Sequence, residues 1–184
     1  MSNVILIGFM GCGKSTVGIR LSYKLRKVVE DTDKLIEKKA DMLIKEIFAT
    51  KGEAAFREME TEILKDLQLS KEEKIISTGG GLPMRKENHA LLKKLGTVVY
   101  LRISPENVWE RLKNDTTRPL LQCEDPLSKI KELLAMRAPV YEEAADIIFD
   151  VDGKDMEEVL SGLLIKLEES GCITGGKEDE NTGN

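Results

Sequence analysis

Short runs built on apolar residues recur along the chain at 4–7, 27–30, 75–77, 98–101 and 147–149, and between them apolar positions repeat with helical spacing. The first run, Val4-Ile5-Leu6-Ile7, is continuous rather than alternating, as in a strand buried on both faces of a parallel sheet. After it, Val17, Leu21 and Leu25 recur on one face of a helix. The pattern predicts strands at the five runs and helices over 15–26, 34–48, 53–69, 86–95, 105–113, 126–144 and 154–168. Strands alternating with helices predict an α/β fold, a doubly wound parallel sheet covered on both faces. Ligands in such sheets bind beyond the carboxyl ends of the strands, so the residues just after each strand are the ones to examine.

Two segments break the alternation. Residues 114–125 are polar, contain Arg118-Pro119 and separate two predicted helices, the profile of a lid loop. Residues 170–184 are rich in Gly, Asp, Glu, Asn and Thr and are expected to be disordered, leaving a single domain over 1–169. At 184 residues with 41% hydrophobic content, one domain with a full core is expected.

Charge narrows the partners. With 28 Lys and Arg against 33 Asp and Glu, the formal charge of −5 argues against a nucleic-acid or anionic-membrane binder. Anion binding must then come from a few placed cations. No apolar stretch approaches the ~20 residues that span a bilayer, and no charged segment followed by a long apolar one opens the chain. A cytoplasmic protein is expected. Cys12, Cys123 and Cys172 have neither metal-ligand spacing nor an even count, so neither a zinc site nor a disulfide framework is expected.

The strongest chemical signal is Gly8-Phe9-Met10-Gly11-Cys12-Gly13-Lys14-Ser15, a complete phosphate-binding loop between the first strand and the first helix. Its glycines let successive N–H groups approach a polyphosphate. Lys14 reaches the β and γ phosphates, Ser15 offers a hydroxyl to Mg²⁺, and the helix adds its positive dipole end. Cys12 sits within the loop, where it either becomes a thiolate favoured by the amides and Lys14 or simply fills the turn.

Further chemistry follows the next two strands. Asp31-Thr32-Asp33 offers two carboxylates, one for a metal and one for a substrate, although a helix N-cap explains one of them equally well. Ser77-Thr78-Gly79-Gly80-Gly81 places hydroxyls ahead of three glycines, suited to close backbone approach or to a flexible loop. Arg57, Arg118 and Arg137 can each bind a carboxylate or phosphate bidentately, or serve as surface charges or structural ion pairs. The single histidine, His89, lies on a polar part of a helix and is expected at the surface.

Taken in order, the loop 8–16, Asp31-Thr32-Asp33, Phe56-Arg57, Gly79-Gly80-Gly81, Arg118-Pro119-Leu120-Leu121 and Arg137-Ala138-Pro139-Val140-Tyr141 resemble the shikimate kinase family over about residues 1–152. The resemblance implies five parallel strands in the order 2-3-1-4-5, as in nucleoside monophosphate kinases. It implies ATP-dependent phosphorylation of shikimate in aromatic amino-acid biosynthesis by a monomer. Gly11, Cys12, Gly13, Lys14, Ser15 and Thr16 would hold the ATP phosphates, and Arg111 would pack on adenine. Ser15 and Asp31 would hold Mg²⁺, the latter through water. Asp33, Arg57, Gly79, Gly80, Gly81 and Arg137 would bind shikimate, with Phe48 and Phe56 lining its pocket. Lys14, Asp33 and Arg118, the last from the lid, would act on the transferring phosphoryl group. The adenine-side segment 150–154 matches the family poorly. Two other readings are a gluconate kinase-like enzyme of the same fold and a nucleotide-binding regulator without catalysis. The arginine pair disfavours the first, and the intact catalytic set disfavours the second.

Overall fold

The computed structural model describes residues 2–115 and 122–174. Five strands form one parallel sheet: β1 (Asn3–Ile7), β2 (Val28–Asp31), β3 (Lys74–Ser77), β4 (Gly96–Arg102) and β5 (Ile147–Asp150). Their order is β2-β3-β1-β4-β5, as the resemblance implied. β1 pairs with β3 on one side and β4 on the other, so the chain's winding direction reverses at β1. That strand is buried completely from Val4 to Ile7, consistent with its unbroken apolar run.

Among the described residues, seven α-helices connect and flank the strands: α1 (Lys14–Leu25), α2 (Thr32–Ala40), α3 (Ile44–Leu67), α4 (Lys86–Leu95), α5 (Pro105–Leu112), α6 (Pro126–Ala144) and α7 (Met156–Glu169). α1 lays Val17, Gly18 and Leu21 against the sheet, where a methyl on Gly18 would stand 3.3 Å from Val29. α7 begins with a capping box: Asp155 accepts from the Glu158 N–H at 2.9 Å and Glu158 accepts from the Asp155 N–H at 2.7 Å.

The helix pattern differs from expectation at 41–53. The expected helix over 34–48 breaks instead at Asp41, whose left-handed φ of 49° ends α2 with its N–H on the Glu37 carbonyl. Asp tolerates that conformation better than most residues. Glu46 and Glu37 then cap α3, accepting from the Leu43 and Ile44 N–H groups at 2.9 and 3.0 Å. The break expected near 49–52 is only a kink at Gly52 (φ 82°, ψ 171°) within α3. The apolar residues Met42, Ile44 and Ile47 continue the repeat across the real boundary and so conceal it.

Two further expectations are corrected. Residues 170–174 are not a loose tail: Cys172 and Ile173 are buried, and Cys172 ties Leu167 to Ser2 through main-chain bonds of 3.0 and 3.3 Å. Two apolar side chains in a polar stretch suffice to dock it. His89 is not at the surface but buried, with its Nε2 2.7 Å from the Pro83 carbonyl. The neighbouring Asn88 is also fully buried, so the polar look of this helix segment reflects internal hydrogen bonding. The expected disorder of 175–184 and the lid residues 116–121 lie outside the described residues.

Candidate active site

Gly13, with φ 98°, turns the chain from β1 into α1 and caps the helix without a side chain, which leaves the first-turn N–H groups of Lys14, Ser15 and Thr16 facing outward. Lys14 curls back over the loop, donating to the Gly8 and Phe9 carbonyls at 2.8 and 3.0 Å, with Cys12 Sγ at 3.7 Å. Phe9 and Cys12 are buried, so the loop is anchored from beneath. The filling role of Cys12 is the one seen.

A cleft of about 540 Å³ opens above the strand ends. It is lined by Gly11, Cys12, Gly13, Lys14, Ser15 and Thr16 from the loop, by Asp31 and Asp33 after β2, and by Ser77, Thr78, Gly79 and Gly80 after β3. Arg111 of α5 joins from the other side, donating to the Gly11 carbonyl at 3.0 Å. Val151, Lys154, Asp155, Met156 and Val159 complete the wall. The start of α7 was not singled out in the sequence, because nothing in its composition marks it as ligand-facing.

Asp31 takes the N-cap role that explained one of the two carboxylates. Its Oδ1 caps α2 by accepting from the Asp33 and Lys34 N–H groups at 3.0 and 3.3 Å, and it also lines the cleft. Thr78 does not keep its hydroxyl for a ligand but donates it to the Leu6 carbonyl at 3.1 Å.

The remaining charges gather around the three glycines. A methyl on Gly79 would stand 2.6 Å from Asp33 Oδ1 and 3.2 Å from Glu60 Oε1, and the Arg57 guanidinium packs directly on Gly81. A methyl on Gly80 would lie 3.9 Å from Arg137, whose guanidinium is 5.7 Å from the Phe9 ring centroid. Three consecutive glycines thus let Asp33, Arg57 and Arg137 crowd against one stretch of backbone. Phe56 is buried and stacks on the partly exposed Phe48 with centroids 4.8 Å apart, and Arg57 lies over the Phe56 ring at 5.4 Å. Arg57, Gly81, Arg137, Phe48 and Phe56 do not line the main cleft; Arg57 and Arg137 adjoin it through Gly81 and Gly80.

Glu60 was missed in the sequence. It is 1% exposed and accepts from Arg57 at 2.7 Å through Oε2, while Arg57 also donates to Glu53 at 3.1 Å. Asp33 Oδ1 and Glu60 Oε1 are buried without a hydrogen-bond partner among the described residues. Burial pushes Glu60 up to about 7, with Arg57 opposing and Asp33 adding to the rise. Burial also pushes Asp33 up to about 6, helped by Asp31 and opposed by Lys14.

Both raised values give the same sign of linkage. The folded chain holds a proton on Glu60 that the unfolded chain gives up near the ordinary 4.5, so that stabilisation is complete below 4.5 and is lost as pH rises through about 7. Asp33 acts alike between 3.8 and about 6. Glu60→Gln is therefore expected to flatten the fall of Tm with pH between about pH 5 and about pH 8, at on the order of 2–4 °C per kcal/mol of linkage. Differential scanning calorimetry across that range checks it; a wild-type Tm that rises through this window would contradict the assignment.

Parallel strands in this order, with a phosphate loop and helix N-terminus at the point where the winding reverses, define an α/β P-loop kinase. A model of the shikimate kinase family matches residues 10–168. Shikimate kinase from Thermodesulfovibrio yellowstonii is 46% identical over 168 residues, covering 91% of this chain and 96% of its own. That from Burkholderia lata is 39% identical over 172 residues, covering 94% and 93%. Among solved structures, the shikimate kinase of Acinetobacter baumannii in complex with shikimate superposes with a TM-score of 0.84 at 35% identity, over 92% of this chain and 94% of that one. The Aquifex aeolicus enzyme gives 0.77 at 38%, over 95% and 99%. The chain belongs to the shikimate kinase family, whose phosphate donor is ATP.

Proposed function

We propose that this chain transfers the γ phosphate of ATP to shikimate, forming shikimate 3-phosphate and ADP. The observation that carries the proposal is the gathering of Asp33, Arg57 and Arg137 around Gly79, Gly80 and Gly81, beside the phosphate loop. Two guanidiniums suit a carboxylate, and Asp33 suits ring hydroxyls, which together describe a compact polyhydroxy acid. The 35% identity to an enzyme solved with shikimate supports the same acceptor. A gluconate-like acceptor, longer and open-chained, fits this compact cluster less well.

Placement in the cleft supports the following roles. The N–H groups of 11–16 and Lys14 hold the phosphates, and Arg111, beside Gly11, stacks on the base. Ser15 and Asp31 suit Mg²⁺: both line the cleft, and capping uses Oδ1 of Asp31 but leaves Oδ2 for a metal-bound water. Mg²⁺ keeps several waters and needs only one or two carboxylates, so no cluster of ligands is required; bound with ATP, it would neutralise charge on the phosphate oxygens. Among the described residues no group of three His, Cys, Asp or Glu forms a metal cage.

The acceptor hydroxyl attacks the γ phosphorus as its O–H bond breaks, the bond from phosphorus to the ADP oxygen opens, and the proton passes to Asp33. With its value raised to about 6, Asp33 is ionised at neutral pH yet a better proton acceptor than an ordinary carboxylate. Phe48 and Phe56 wall the acceptor, and Arg118, which lies outside the described residues, is the further cation assigned to the transferring phosphoryl group. We also expect the chain to act as a cytoplasmic monomer without nucleic-acid or membrane partners, as its net charge of −5 and family support. No helix among the described residues is long and apolar enough to cross a membrane.

The test is ADP release from Mg-ATP with shikimate, quinate or gluconate as acceptor. Stimulation by shikimate well above the others is expected; no stimulation above background hydrolysis would overturn the proposal.

A further inference from the structure

The motif that ends in Tyr141 contributes more than Arg137. Tyr141 is fully buried, and its hydroxyl donates to the Gly80 carbonyl at 2.6 Å across 61 residues of sequence. Burial pushes this hydroxyl's pKa up, against the opposing pull of Arg137, so it stays a donor. The ring is set by Tyr100 of β4, with centroids 5.1 Å apart. Arg137 precedes Tyr141 by one helical turn on the same face of α6, so whatever holds Tyr141 also orients Arg137.

The same backbone is held from two other helices. The Gly79 N–H donates to Oγ1 of the fully buried Thr32 at 3.0 Å, one residue before Asp33 on α2. Asn88 donates to the Leu82 carbonyl at 2.9 Å and accepts from Thr61 at 2.9 Å, and Thr61 lies one turn beyond Arg57 on α3. α2 and α6 are thereby tied, each through one buried neutral side chain, to the glycine backbone, and α3 is tied through Thr61 and Asn88 to Leu82 just beyond it.

We infer that Tyr141 is a positioning residue for the acceptor: its bond to Gly80 fixes the glycine segment against α6 and sets the separation of Arg137 from Arg57 and Asp33. This rests on the acceptor reading proposed above. The tie bears first on the acceptor half, because the bond is made to Gly80, while the phosphate loop has anchors of its own in the buried Phe9 and Cys12.

The test compares Tyr141→Phe with Tyr100→Phe, two substitutions in the same ring pair of which only the first removes the bond to Gly80. Tyr141→Phe is expected to raise the KM for shikimate roughly tenfold, the scale of one lost buried hydrogen bond, with the KM for ATP within about twofold of wild type. Tyr100→Phe is expected to change neither. A Tyr141→Phe enzyme with unchanged shikimate KM, with both KM values raised together, or matched by Tyr100→Phe, overturns the inference. Calorimetric titration of wild-type protein with shikimate separates the two claims. If no shikimate binds, the acceptor reading fails on its own. Hydrogen exchange at the Gly81 and Leu82 amides then decides the tie: faster exchange in Tyr141→Phe than in Tyr100→Phe sustains it, and equal exchange overturns it.

Discussion

Lys14→Met is expected to lower kcat by on the order of 10³-fold or more while leaving the fold intact. The amine donates to two main-chain carbonyls of its own loop, Gly8 and Phe9, rather than to a carboxylate, so its loss strips no carboxylate of a direct partner, and the buried Asp33, whose rise Lys14 opposes, is pushed up further. Methionine keeps the length of the stem and removes only the cation. In phosphoryl transfer the protein contributes positioning and charge more than covalent chemistry, and a cation at the β and γ oxygens acts where negative charge is redistributed. Steady-state kinetics with a Tm measurement in parallel check this. A variant with activity within tenfold of wild type would remove Lys14 from the transfer step.

Arg57→Ala is expected to act twice. It removes one of the two guanidiniums proposed to bind the acceptor, raising the shikimate KM by on the order of 10²-fold, the scale of a charge-assisted bidentate contact. It also strands Glu60, which is 1% exposed and would keep an uncompensated carboxylate, at a cost of roughly 3–5 kcal/mol when ionised. Because Arg57 opposes the burial that already holds Glu60 near 7, its loss raises that carboxyl further, so the variant's stability deficit should shrink as pH falls toward about 7 from above, where Glu60 takes up its proton. Arg57→Ala with Glu60→Gln should regain the stability but not the shikimate affinity. Kinetics and denaturant unfolding at two pH values read the two effects separately. Recovery of affinity in the double variant would show that Arg57 acts on the fold rather than on the acceptor.

The donor half of this site was legible because its chemistry is local. One strand, one loop and one helix start in sequence order make the phosphate cradle, and the apolar run 4–7 announced the central strand. The proposed acceptor half draws on α2, α3, α6 and the glycines, and the sequence offered it as separate charges with no distances between them. Glu60 is the plainest loss. It stands among Glu53, Glu58 and Glu62 and looks like one more solvated charge, yet Phe56, Glu60, Ile63, Leu64 and Leu67 make one buried stripe of α3. A carboxylate inside an apolar helical stripe was the available signal. His89 was misjudged for the opposite reason, since its partner is the Pro83 carbonyl of a short turn that no periodicity reveals. Tyr141 was read as part of a motif, but its role depends on a bond to Gly80 that only the folded sheet creates.

The central claim is that the cleft joins a phosphate donor to shikimate itself. Phosphorus NMR of the protein with Mg-ATP and shikimate tests it most directly. The expected result is a phosphomonoester on the 3-hydroxyl of shikimate, growing in step with ADP. ADP with inorganic phosphate and no phosphorylated shikimate would contradict the account.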